Sequence, residues 1–164
     1  MNDGNKVIKL KVFIFEKHTE EITSIFRYRS NLDNIHTFTI KEPKETSCII
    51  LSNPENSSCI FTLNHLQLTS EEKNHITLLM TDRLESTHHN KNAEKSGLKL
   101  YLQQEIKEIK NATEIFNMEK QSDELFEIFS SNYAIILPGG GIIINLESPV
   151  KNLELCISYN TEAF

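Results

Sequence analysis

A chain of 164 residues carrying a net charge of -6, with 38% hydrophobic and 24% charged residues, is long enough to bury one core unaided and is neither collagen-like nor wholly disordered. Its acidic surface repels phosphate backbones and anionic lipid. The basic residues do not reverse this, because Lys6, Lys9 and Lys11, Arg27 and Arg29, and Lys107 and Lys110 form short runs interleaved with apolar residues or with Glu105 and Glu108.

Val7 to Phe15 is β-branched and aromatic, with Lys9 and Lys11 alternating against Ile8, Leu10 and Val12 before the apolar run Phe13-Ile14-Phe15. This predicts a strand that is half exposed at its start and buried at its end. From Thr19, the spacing of Ile22, Ile25, Phe26 and Arg29 predicts a short helix. Ile35 to Lys41, Cys48 to Ser52 and Cys59 to Leu63 read as strands separated by Pro43 and by Ser52-Asn53-Pro54-Glu55-Asn56, and such spacing predicts an antiparallel meander.

Thr69-Ser70-Glu71-Glu72 has the form of a capping box, and Ile76, Leu79, Met80, Arg83 and Leu84 follow at helical period. Ser86 to Ser96 holds almost nothing to bury and reads as a surface loop. After Gly97, the spacing of Leu98, Leu102, Ile106 and Ile109 favours another helix, and Ser122-Asp123-Glu124 opens a last one that buries Leu125, Ile128 and Phe129. Strands resume at Tyr133 to Leu137, Ile142 to Leu146 and Leu153 to Tyr159, the first two joined by Pro138-Gly139-Gly140-Gly141 as a hairpin. The expected class is α+β, one domain over residues 1–164, a mostly antiparallel sheet packed by three to four helices.

Candidate chemistry is sparse. Cys48, Cys59 and Cys156 sit in apolar runs and read as buried thiols of a reducing, cytoplasmic compartment. Thiol catalysis by Cys59 with His65, or by Cys156 with a distant histidine, needs an activated and accessible thiolate that apolar surroundings oppose. The glycine turn runs straight into Ile142-Ile143-Ile144 with no helix or Lys to complete a phosphate loop. His88-His89 lacks further ligands at helical spacing, so no metal or cofactor is expected.

His36, His65 and His75 read as structural, and Glu20-Glu21, Glu71-Glu72 and Asp123-Glu124 as helix-start carboxylates. Phe13, Phe15, Phe26, Phe38, Phe61, Phe116, Phe126 and Phe129, with no Trp, read as core. Asn56-Ser57-Ser58 and Asn111-Ala112-Thr113 match the glycosylation pattern. With no catalytic constellation, the expectation is a non-enzymatic protein-binding module that neutralises, escorts or regulates a partner protein, in the manner of an immunity protein, secretion chaperone or inhibitor. The alternatives are a small Cys/His-dependent hydrolase or transferase and a small-ligand sensor. A partner protein is expected, and neither nucleic acid nor a membrane.

Overall fold

The computed structural model describes residues 10–17, 35–82, 97–103, 112–129 and 131–163. The regular elements among them are strands: β1 Val12–Glu16, β2 Ile35–Glu42, β3 Thr46–Ser52, β4 Cys59–Thr69, β5 Asn74–Thr81, β6 Lys99–Gln103, β7 Ala112–Lys120, β8 Leu125–Glu127, β9 Asn132–Ile136, β10 Gly141–Val150 and β11 Leu153–Ala163. For the described residues the expected α+β class, with a sheet packed by three to four helices, is thereby corrected to an all-β arrangement of two antiparallel sheets.

The helix expected after Thr69 is β5. Asn74, Ile76 and Leu78 are buried while His75, Thr77 and Leu79 are more open, a period of two. Ile76, Leu79 and Met80 fit a helical spacing equally well, and pairing with β10 on one side and β7 on the other selects the strand. The helix expected from Ser122 is a turn followed by β8, and the one expected from Leu98 begins as β6. The helix near Thr19 and the loop from Ser86 to Ser96 lie outside the described residues, as do the later positions of the Leu98 segment. No described helix is long and apolar enough to cross a membrane.

Two antiparallel sheets form. The first runs β1-β9-β4-β11-β2, with β8 on the far end of β4, and the second runs β6-β3-β10-β5-β7. Setting aside β1, β6 and β8, the remaining eight strands lie in the orders first-eighth-third-sixth and second-seventh-fourth-fifth, which is the jelly-roll arrangement. Most connections therefore pass between sheets. The expected meander is absent: β2 and β4 flank β11 in the first sheet, while β3 belongs to the second. The expected glycine hairpin is absent too, because β9 pairs with β1 and β4 whereas β10 pairs with β3 and β5.

Alternation places one face of each sheet in a shared core. Phe61, Leu63, Leu66 and Leu68 of β4 and Leu155, Ile157 and Tyr159 of β11 meet Ile49 and Leu51 of β3, Ile76 and Leu78 of β5, and Ile142, Ile144 and Leu146 of β10. Each such aliphatic side chain contributes about 1.5–3 kcal/mol when withdrawn from water. The phenyl rings of Phe38 and Phe61 meet Tyr159 edge-on, with ring centroids 6.0 and 5.7 Å away. On the far side of the second sheet Cys48, Ile50 and Ile143 form a separate buried cluster. This explains why β3 and the start of β10 read as continuous apolar runs.

Candidate binding face

The outer side of the first sheet is the candidate face, where the inward positions of β4, β9 and β11 leave Thr62, His65, Gln67, Tyr133, Ile135, Cys156, Ser158 and Asn160 facing away from the core. At one border lies β1. Val12 is buried, but Phe13 and Phe15, expected in the core, are 37% and 44% exposed, and Leu10 just before them is 54% exposed. Phe15 stacks on Tyr133 with ring centroids 5.3 Å apart, and Phe13 lies opposite Ile135.

The hydrogen bonds that bracket β1 give the direction of its peptide groups. Leu137 N–H donates to the Lys11 carbonyl at 2.8 Å, and Lys17 N–H donates to the Ser131 carbonyl at 2.7 Å. In an antiparallel ladder the pairs alternate, so Lys11, Phe13, Phe15 and Lys17 turn their peptide groups toward β9. Val12, Ile14 and Glu16 turn theirs the other way, where none of the described strands lies. The edges β2 and β7 differ in character: β2 exposes Thr37, Thr39 and Lys41, and β7 exposes Thr113, Glu114, Asn117 and Glu119. Polar edges of that kind discourage strand addition, whereas β1 presents two phenyl rings.

Beyond β1 and β9 the face turns polar. The register between β4 and β11 shifts at Asn64, so one peptide leaves the ladder as a bulge. Lys17 Nζ donates to the released Asn64 carbonyl at 2.8 Å, and the Asn64 side-chain amide donates to Asn160 Oδ1 at 2.6 Å. Burial pulls the Lys17 pKa below its ordinary value, with Glu127 opposing. The Thr37 and Ser158 hydroxyls are 3.0 Å apart, and His65 Nε2 lies 2.9 Å from Gln67 Oε1.

The sequence-level candidates are only partly brought together. Cys59 and His65 sit six residues apart along β4, about 20 Å in an extended chain, and do not meet. Cys156 stands opposite Gln67 and diagonal to His65, which pairs with Ser158 across the ladder, but the His65 ring is engaged with Gln67. Cys48 is fully buried and burial pushes its thiol up to about 12, so a thiol reagent at neutral pH is expected to label it only after unfolding. Rapid labelling of Cys48 in the native protein, located by peptide mass spectrometry, would refute that placement.

The glycine turn has little left for a phosphate. Gly139 N–H donates to the Asn53 carbonyl and Gly140 N–H to that of Leu137, while Asn53 N–H donates back to Gly140. Asn53 is a residue that sequence reasoning missed: its buried side-chain amide also donates to the Cys59 and Ile136 carbonyls at 2.9 and 3.0 Å. Lys120 is another, with no periodic or motif signal to mark it. Among the described residues no three His, Cys, Asp or Glu side chains form a metal-binding group, and His88-His89 lies outside them. Compared with known proteins, the chain matches no family model, no curated protein and no solved structure.

Proposed function

We propose that this chain is a non-enzymatic protein-binding module that neutralises, escorts or regulates a partner protein, and that it engages the partner through β1 and the adjoining part of the first sheet. The observation that carries this reading is the exposure of Phe13 and Phe15, side by side on an edge strand of a sheet whose other edge is polar. Aromatic side chains held on a rigid element are the usual energetic centre of a protein interface. Phe15 is also held in place by Tyr133. Little ordering entropy is then lost on binding.

The test is affinity capture from the native host with the wild-type protein and with the double variant Phe13→Lys, Phe15→Lys, each hit being remeasured as a purified pair. A partner is expected that binds the variant at least about tenfold more weakly. Because both positions are exposed, the variant keeps its fold, which circular dichroism checks. Equal binding by both proteins sinks the reading. So does a hydrolytic or transfer activity abolished by Cys156→Ser, since Cys156 lies diagonal to His65 on the same face.

A further inference from the structure

We propose that the edge of β1 that faces none of the described strands takes up an extended segment of the partner protein as an added antiparallel strand. The segment carries side chains in the order basic, apolar, any, apolar, any, acidic. This rests on the protein-binding reading above and adds to it the mode of binding and the chemistry of the partner.

The backbone supplies the first argument. Val12, Ile14 and Glu16 each turn an N–H and a C=O to the side away from β9, as the hydrogen bonds of Lys11 and Lys17 require. The donors and acceptors recur every second residue, about 7 Å apart, and an extended strand is the conformation whose own peptide groups recur at that spacing. Positions directly opposite one another in such a pair bring their side chains within about 5 Å. Residues facing Phe13 and Phe15 would therefore cover the two rings, and apolar ones would remove them from water.

Charge selects the ends of the segment. Lys11 precedes the two phenylalanines and Glu16 follows them. An antiparallel segment read from its own N-terminus meets Glu16 first and Lys11 last, which calls for a basic residue at its start and an acidic one at its end. The same charges argue against a second copy of this chain. In a two-fold pairing centred on Ile14, Lys11 meets the copy's Lys17 and Glu16 meets Val12. Centred on Phe13, Lys11 meets Phe15 and Glu16 meets Leu10. The register that sets Lys11 against Glu16 places outward-facing Phe13 against inward-facing Ile14, turning the added strand's side chains to the wrong faces. A foreign strand satisfies both ends at once.

The experiment titrates the full-length, isotopically labelled protein with four synthetic peptides up to millimolar concentration, following its amide resonances. The first peptide contains Lys-Val-Thr-Val-Thr-Glu, and the second exchanges its Lys and Glu. The third is N-methylated on both threonines, which face Val12 and Ile14, and the fourth on both valines, whose N–H groups point away. The first peptide is expected to shift the amides of Val12, Ile14 and Glu16 and to bind about fivefold tighter than the charge-exchanged one. Methylated threonines are expected to weaken binding at least about tenfold, and methylated valines no more than about twofold.

No shift at these amides, or equal effects of the two methylation patterns, overturns strand addition. Indifference to the charge exchange overturns the assigned partner chemistry. A concentration-dependent dimer with the same amides shifted, detected by sedimentation, overturns it in favour of a second copy. If the Phe13, Phe15 variant loses the captured partner while the peptides show no alternation, the protein-binding reading stands and strand addition falls. If peptides bind as expected but capture is unaffected by the variant, the reverse holds.

Discussion

Replacing Lys120 with Met is expected to lower the folding stability by about 1–3 kcal/mol, because it leaves the buried Ser70 carbonyl, and the part-buried carbonyls of Glu72 and Gln121, without their ammonium partner. Lys120 is fully buried at the end of β7. Its Nζ donates to the carbonyls of Ser70 at 2.8 Å, Glu72 at 3.2 Å and Gln121 at 2.9 Å. The first two belong to the turn from β4 to β5, which changes sheets, and the third to the turn that leads from β7 to β8. One ammonium thus ties together two chain reversals at one end of the sandwich. Methionine keeps most of the stem volume and removes only the donors, so the loss reports the hydrogen bonds rather than a cavity.

The effect has a pH signature. Burial holds the Lys120 pKa below its ordinary 10.5, with Glu124 and Asp123 opposing. A folded-state value below the unfolded one means that, between the two, unfolding takes up a proton. Stability contributed by Lys120 is therefore smaller below the folded pKa and grows as pH rises through it toward 10.5. Urea denaturation of wild type and Lys120→Met at about pH 8 and about pH 10 should show the gap between them widening. A gap under about 1 kcal/mol at both pH values would mean that water satisfies the three carbonyls in the variant.

The strands were legible where burial on one or both faces left a strong mark. Cys48-Ile49-Ile50-Leu51 and Ile142-Ile143-Ile144 read as strands and are, and they are apolar throughout because Ile49, Leu51, Ile142 and Ile144 join the shared core while Cys48, Ile50 and Ile143 are buried on the opposite face. The segment from Asn74 to Thr81 was not legible, since Ile76, Leu79 and Met80 fit a period of 3.6 as well as one of two. Only the cross-strand partners, contributed by Ala112 to Lys120 and Gly141 to Leu146, break the tie. Sheet membership was not legible either. The short link at Pro138 to Gly140 suits a hairpin locally, yet Asn53, far away in sequence, bonds both Gly139 and Gly140 and carries the chain across to the other sheet.

Phe13 and Phe15 are the most informative disagreement. Composition and pattern put them in the core, and the fold leaves them on an edge. Such a conflict between local pattern and global placement is expected at functional or strained positions.

Gly140 holds that edge in position, and Gly140→Ala is expected to cost about 2–4 kcal/mol, the sum of overpacking and a weakened ladder bond. An added Cβ would lie 2.7 Å from the Lys11 carbonyl oxygen, 2.9 Å from Lys11 Cβ and 3.1 Å from the Leu137 carbonyl oxygen. The Lys11 oxygen cannot yield freely, because it accepts the Leu137 N–H in the bond that starts the pairing of β1 with β9. Gly139 provides the contrast. It adopts φ +88°, where an L side chain is strained, but its Cβ would meet nothing closer than the Asp82 carbonyl at 3.7 Å. Gly139→Ala should then cost only about 1 kcal/mol through its backbone.

The two variants also differ in what they release. Alanine at 140 pushes Lys11 away from the turn and should speed hydrogen exchange at the amides of Phe13 and Phe15, which point toward β9. Alanine at 139 lowers global stability without singling out β1. If β1 adds a partner strand as proposed, it can present Val12, Ile14 and Glu16 only while its other side is fastened, so Gly140→Ala should weaken that binding more than its loss of stability accounts for. Unchanged exchange at Phe13 and Phe15 in a destabilised Gly140→Ala protein would show that the turn yields instead of the strand, and would remove Gly140 from any role in holding β1 in position.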